Sequence, residues 1–297
     1  PKVITTNIDD NRNIPRSSEE ALLAFVTNAL LASLGKFGDE ESSPAFANDN
    51  TVRAALARFY LYTKNYEAAA DYATALIDAE EYELEDEFQN VVLKDFSSES
   101  IFEVGYTIAD DSDPTNLNTL FLGRREIIPS NEEILALASS ESGDRFSSIE
   151  FNVANLKGND NGWAVSKYGT AVEDNNNIVV FRLPEMYLIR AEARTFLGNV
   201  SGDNSAQTDI NILRARAKAP QVGSVSQSQM IQILEDERRY ELAFEGHRWY
   251  DLRRTGRLES IMPAFNGNWR PAFELWPIPQ GEIQNNPSLA ANQNPGY

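Results

Sequence analysis

Between Thr51 and Ile77 the apolar residues recur as two short helical stripes separated at Lys64 and Asn65, and this pairing constrains the fold more than any other stretch. Ala57 and Tyr60 mark the first stripe; Tyr66, Ala69, Tyr72, Ala73, Leu76 and Ile77 mark the second. Alanines let two helices approach closely, and tyrosines fill the gaps that remain. One such pair cannot bury its own apolar face, so the fold needs further pairs to stack against it. A second pair is predicted from Phe181: Met186, Ile189, Ala193 and Phe196 form one stripe, Leu197-Gly198-Asn199 a stop, and Ala206, Ile210, Leu213 and Ala217 the next. Upstream, Ser17 with Glu20 reads as a capping box before Leu22, Phe25, Val26, Ala29 and Leu30.

The pairs resemble tetratricopeptide units, and the expected fold class is all-α. A stretch rich in Asp, Asn, Gly and Ser intervenes, with strand-like Ser100–Tyr106 near its start. Pro271, Pro277, Pro279, Pro287 and Pro295 forbid a continuous helix near the end. The expectation is one domain: helical parts over 17–83 and 181–262, a loop-rich part over 84–180, and an extended tail over 263–297.

Residues 237–258 crowd charges of both signs among Tyr, Phe and Trp. Six acids (Glu235, Asp236, Glu237, Glu241, Glu245, Asp251) face six arginines between Glu235 and Arg257, in a chain whose net charge is -19. On a continuous helix Arg238, Glu241, Glu245 and Arg248 share a face with Leu234, Trp249 and Leu252 beside them. The expectation is a structural ion-pair network of Arg238, Glu241, Glu245, Arg248 and Asp251, with Gly246 at a bend. His247 is read as part of that structure.

Composition removes several function classes. The chain has no cysteine and one histidine, which excludes thiolate metal sites and cysteine nucleophiles and leaves little scope for zinc or a Ser-His-Asp triad. Its acidity disfavours nucleic acid and anionic membrane surfaces, since phosphate binding needs clustered Lys and Arg. The longest apolar region, Ala21–Leu34, is too short and too polar to span a bilayer. No cofactor is expected. Acidic Asp110-Asp111-Ser112-Asp113 fails the EF-hand template, because Asn116 takes the glycine position and Leu122 the bidentate glutamate; adventitious calcium stays open.

Three segments together resemble the SusD/RagB family of bacterial outer-membrane nutrient-binding lipoproteins: Phe181–Ala193 (FRLPEMYLIRAEA), the charged Glu237–Leu258, and Leu275–Tyr297 (LWPIPQGEIQNNPSLAANQNPGY). Weaker agreement runs upstream through SESIFEVGY and ALARFYLYTKNYEAA to IPRSSEEAL. The resemblance implies a non-catalytic, surface-exposed outer-membrane protein that captures oligosaccharide or another nutrient and acts with a SusC-type TonB-dependent transporter. It also implies that a signal peptide, a lipidated cysteine anchor, the first helices and part of the ligand surface would precede Pro1. A truncated, a proteolysed and a naturally short member are the three alternatives.

Carbohydrate recognition favours exposed aromatic faces flanked by polar side chains. Trp163, in the polar loop that also holds Asn161, is the first candidate for ligand binding, and Phe121 with Arg124 and Arg125 the second. Trp249 and Trp276 are expected in the core, and Trp269 is undecided. Two other functions compete: a peptide-binding helical scaffold, and a helical glycosidase using Glu241 and Glu245. The second requires one carboxyl with a raised pKa, whereas arginines nearby lower both.

Overall fold

The computed structural model describes residues 2–3, 5–11, 14–38, 43–92, 94–106, 117–154, 156–158, 160–168 and 177–297. In chain order these form α1 (Ile8–Asn11), α2 (Glu19–Ser33), α3 (Asp49–Tyr62), α4 (Tyr66–Ile77), β1 (Ser100–Val104), α5 (Asn131–Leu137), β2 (Ile149–Phe151), β3 (Trp163–Val165), β4 (Ile178–Arg182), α6 (Leu183–Phe196), α7 (Ala206–Arg216), α8 (Gln227–Glu241), α9 (Arg248–Arg254), α10 (Leu258–Phe265) and α11 (Gln280–Asn285). The fold is mostly helical, as expected. It divides into two compact units, one of residues 33–248 and one of residues 1–32 with 249–297.

In the larger unit, local capping sets the first pair. The Asn48 side chain accepts from the Thr51 backbone N–H at 3.0 Å while the Thr51 hydroxyl accepts from the Asn48 N–H at 3.2 Å, closing a reciprocal cap on α3. Lys64 then adopts a φ of +61°, and Asn65 caps α4 through Ala68. Ala54, Ala57 and Leu61 of α3 meet Ala69, Ala73 and Leu76 of α4 in one core, and that core also takes Met186, Ile189 and Ala193 of α6. Leu188 and Ala191, on the other side of α6, pack with Ile210 and Leu213 of α7 and Met230 and Leu234 of α8. A helix apolar on two faces is a central one, and α6 therefore joins pairs that lie a hundred residues apart in sequence.

The intervening residues leave and re-enter this bundle through one antiparallel ladder, in which Ser100 of β1 pairs with Arg182 of β4. β4 runs directly into α6, where Pro184 occupies the first turn and forfeits no intrahelical hydrogen bond. A second ladder pairs Phe151 of β2 with Trp163 of β3.

The charged segment differs from a continuous helix. α8 ends at Glu241, Phe244 and Gly246 take φ values of +65° and +82°, and α9 begins only at Arg248. Gly246 does sit at the bend, but Glu245 lies in the turn and not on a helical face.

In the smaller unit, α2 begins one residue later than the capping box suggested, because Ser18 and not Ser17 accepts from Ala21. The prolines break the tail into short helical turns, Pro271–Glu274, α11 and Pro287–Asn292, rather than leaving it extended. Arg16 ties the two ends of this unit together by donating to the Asn292 carbonyl at 3.1 Å and the Asn294 side chain at 2.6 Å. Trp249 is half-buried edge-on to Trp269, which meets Phe273 in turn. Trp276, expected in the core, is 81% exposed: in the run between Pro271 and Pro277 its backbone is held from Asn294 while its ring stays outside.

Candidate functional site

The strand pair β2–β3 and the helical turn Gly143–Ser148 that leads into it carry three neighbouring rings. Trp163 is edge-on to Phe151 at 5.7 Å and to Phe146 at 5.8 Å between ring centroids. Its inner side packs on the cluster of Leu137, Ile149, Tyr240 and Ala243, so the ring is half-buried and fixed. Phe151, by contrast, is 65% exposed, and Phe146 is 38% exposed. Gly162 makes the arrangement feasible: its φ is +84°, and a Cβ there would lie 2.7 Å from the Phe151 ring.

The loop between the strands is clamped from below by Arg125. This buried guanidinium donates to both Asp160 oxygens, at 2.5 and 2.6 Å, to the Asn152 carbonyl at 2.9 Å and to the Trp163 carbonyl at 3.1 Å. The paired hydrogen bonds from Arg125 hold the Asp160 carboxyl below its ordinary range. Asn161 locks the next position, since its side chain accepts from the Trp163 N–H at 3.0 Å and donates to the Pro129 carbonyl at 2.9 Å. Trp163 and Asn161 thus lie side by side at the start of a strand and not in a free loop.

Phe121 is different. It is only 5% exposed, stacks on Tyr168 and meets Phe244 edge-on, so it serves the core and offers no face to a ligand. The wide helical turn Thr119–Gly123 directs it inward. Arg124 stays partly exposed, 3.3 Å from Glu126. Asp110–Asp113 and Asn116 lie outside the described residues. Among the described residues no cluster of three or more His, Asp or Glu is placed to hold a metal.

Glu237, Glu241 and Glu245 of the charged segment occupy a buried lattice. Glu241 meets Arg145 at 2.6 Å, Arg182 at 2.7 Å and Arg216 at 2.5 Å. Arg145 also meets Glu237, Arg216 also meets Glu99, and Arg182 also meets Glu99 and Glu245. Lys167 closes the turn by donating to Glu245 and to the carbonyls of Glu241 and Ala243. Burial alone would raise the pKa of Glu241, but Arg216, Arg145 and Arg182 outweigh it and hold the group well below the carboxylate range. Glu245 is likewise held at about 2, where Arg182 and Lys167 overcome burial. Neither can serve as a general acid near neutrality.

Two predicted members do not belong to this lattice. Arg248 pairs with Glu235 at 3.2 Å with its side chain 33% exposed, because the turn at Gly246 carries it away from the face it would share on a continuous helix. Asp251 pairs locally with Arg254 at 2.8 Å, one helical turn on. Arg238 is buried where its charge acts on Glu185 and His247. His247 lies 4.0 Å from Glu185, which Arg58 grips at 2.6 Å, and burial pushes the imidazole pKa down. The cations that the sequence reading missed, Arg145, Lys167, Arg182 and Arg216, come from outside the charged segment. Their nearest sequence signal was the lone arginine of the FRLP run.

Residues 150–297 match the SusD family model. SusD-like protein P38 of Formosa agariphila is 34% identical over 128 residues, covering 40% of this chain and 25% of the relative. The match therefore spans a quarter of that protein's length. A SusD superfamily protein from Bacteroides thetaiotaomicron superposes with a TM-score of 0.79 at 26% identity, over 99% of this chain and 70% of its own. A laminarin-binding SusD-like protein superposes with a TM-score of 0.77 at 25% identity, over 98% of this chain and 72% of its own. No described helix is long and apolar enough to cross a membrane.

Proposed function

Because the chain belongs to the SusD/RagB family, we propose that it is a non-catalytic oligosaccharide-binding protein of the outer-membrane surface, working with a SusC-type TonB-dependent transporter. The observation that carries the binding role is the aromatic face of Phe146, Phe151 and Trp163, fixed from beneath and open above. A sugar ring offers apolar C–H faces and hydroxyl edges, and an indole or phenyl ring with nearby amides and guanidinium groups complements both. Asn161, beside Trp163, supplies part of that polar surround, and Arg124 is proposed to extend it. One of the superposed proteins binds laminarin, which supports the ligand class. The glycosidase reading loses support because Glu241 and Glu245 are buried among arginines with lowered pKa values.

Calorimetry with a panel of oligosaccharides tests the proposal. Saturable heat with at least one glycan, abolished in Trp163→Ala and Phe151→Ala proteins that keep native circular dichroism, is the expected result. Absence of heat with every glycan, combined with tight capture of a peptide, would favour the helical scaffold instead. Co-purification with a co-expressed SusC-type barrel tests the transporter partnership.

A further inference from the structure

The ionic surroundings of the aromatic face carry a consequence for ligand class. Between Leu117 and Tyr168 there are five cations, Arg124, Arg125, Arg145, Lys157 and Lys167. Three of them are internal: Arg145 and Lys167 are buried in the lattice, and Arg125 is closed by Asp160 and two backbone carbonyls. Arg124 faces Glu126, and the Lys157 ammonium donates to the Arg124 carbonyl at 2.8 Å. From neighbouring elements, Arg239 is held by Glu133 at 2.7 Å and Lys218 by Asp144 at 2.7 Å. Once Glu126, Glu141 and Asp144 are set against Arg124, Arg214 and Lys218, exposed Glu132 and Glu150 outnumber the exposed Lys157 ammonium, and Glu150 directly precedes Phe151.

Recognition of a carboxylate or sulfate ester demands a guanidinium or ammonium group that is not already paired, and it is opposed by a negative local field. Building on the glycan-binding reading above, we infer that this face accepts uncharged oligosaccharides and rejects those bearing uronate or sulfate groups. The acidic rim does not hinder neutral hydroxyls, which carboxylates accept as hydrogen-bond donors. Specificity against anionic glycans then comes from charge, not shape.

An array presenting neutral probes (maltohexaose, laminarihexaose, cellohexaose, xylohexaose, mannohexaose) and anionic probes (oligogalacturonate, oligoalginate, chondroitin sulfate oligosaccharides) separates the outcomes. The expected result is binding to neutral probes alone, weakened by about tenfold or more in Phe151→Ala, the exposed position least needed for folding. That binding stays within about twofold when salt rises from ~0.1 M to ~1 M, which shortens the screening length from ~10 Å to ~3 Å. It is equally unchanged in Lys157→Glu. Anionic binding that falls with salt and is lost in Phe151→Ala overturns the charge inference while leaving the site intact. Binding of any probe that survives both Phe151→Ala and Trp163→Ala overturns the site itself, and an array with no binding removes both.

Discussion

The charged lattice and the aromatic face invert the usual partition of a soluble protein. Arg145 and Arg182 are among the largest fully buried side chains, whereas Phe151 stands in solvent. Both arrangements cost free energy, but in different ways. The lattice offsets its desolvation internally: Glu241 alone meets three guanidinium groups, which leaves its carboxylate no capacity for a ligand or a reaction. The rings of the aromatic face have packing below and solvent above, so the cost of their exposure is recovered only when something covers them. Mutual pairing thus marks the scaffold, and exposed rings mark the proposed binding face.

Breaking the lattice should give the largest effect. Arg182→Met strands Glu99, Glu241 and Glu245 together and is expected to lower unfolding free energy by about 3–5 kcal/mol. Urea denaturation measures it directly. Phe151→Ala in the same experiment should stay within about 0.5 kcal/mol. Equal losses in the two variants would erase the distinction between the regions.

Acid should sharpen the contrast next. Glu245 is held at about 2 and Glu241 well below its ordinary range, so their contribution is complete above the unfolded carboxylate pKa and is lost as pH falls through the folded values. Glu99 runs the opposite way, because burial raises its pKa despite Arg216 and Arg182; its contribution is present at low pH and is lost as pH rises through its folded value. Below the unfolded carboxylate pKa Glu99 is protonated in both states, so the slope there comes from Glu241 and Glu245. Stability is therefore expected to fall from about pH 4 toward 2. Thermal melts across that range, repeated in Glu245→Gln, should show the variant losing less on acidification. An unchanged acid slope would remove Glu245 from the account.

On the aromatic side, Gly162→Ala places a Cβ against the Phe151 ring and strains a φ of +84°. A stability loss of about 1 kcal/mol is expected. Displacing the ring should also weaken glycan binding severalfold, read by calorimetry. A binding loss without Phe151 movement in the crystal would point away from this face.

The helical pairs were legible because their signals are local: alanine stripes, the turn at Lys64-Asn65, the stop at Gly198. Glu241 and Glu245 were legible as buried for the same reason. Their partners were not, since Arg145, Lys167, Arg182 and Arg216 approach from separate segments and nothing in a linear spacing reports a contact nearly a hundred residues away. Trp163 and Asn161 could be nominated from loop composition. Phe146 and Phe151 could not, because their position depends on strand register and on the Arg125 clamp. Phe121 misled for the converse reason: an aromatic beside two arginines looks exposed until a helical turn directs it inward.

The smallest expected effect tests where the lattice stops. A continuous helix would place Arg248 on the face of Glu241, and its replacement would then rank with that of Arg182. The left-handed residues Phe244 and Gly246 turn the chain before Arg248, which leaves it paired with Glu235 and one-third exposed. Such a pair is screened by solvent and contributes only about 0–1 kcal/mol. Arg248→Met should therefore be nearly silent in urea denaturation. A loss close to that of Arg182→Met would mean that the boundary between saturated interior and ordinary surface lies beyond the turn.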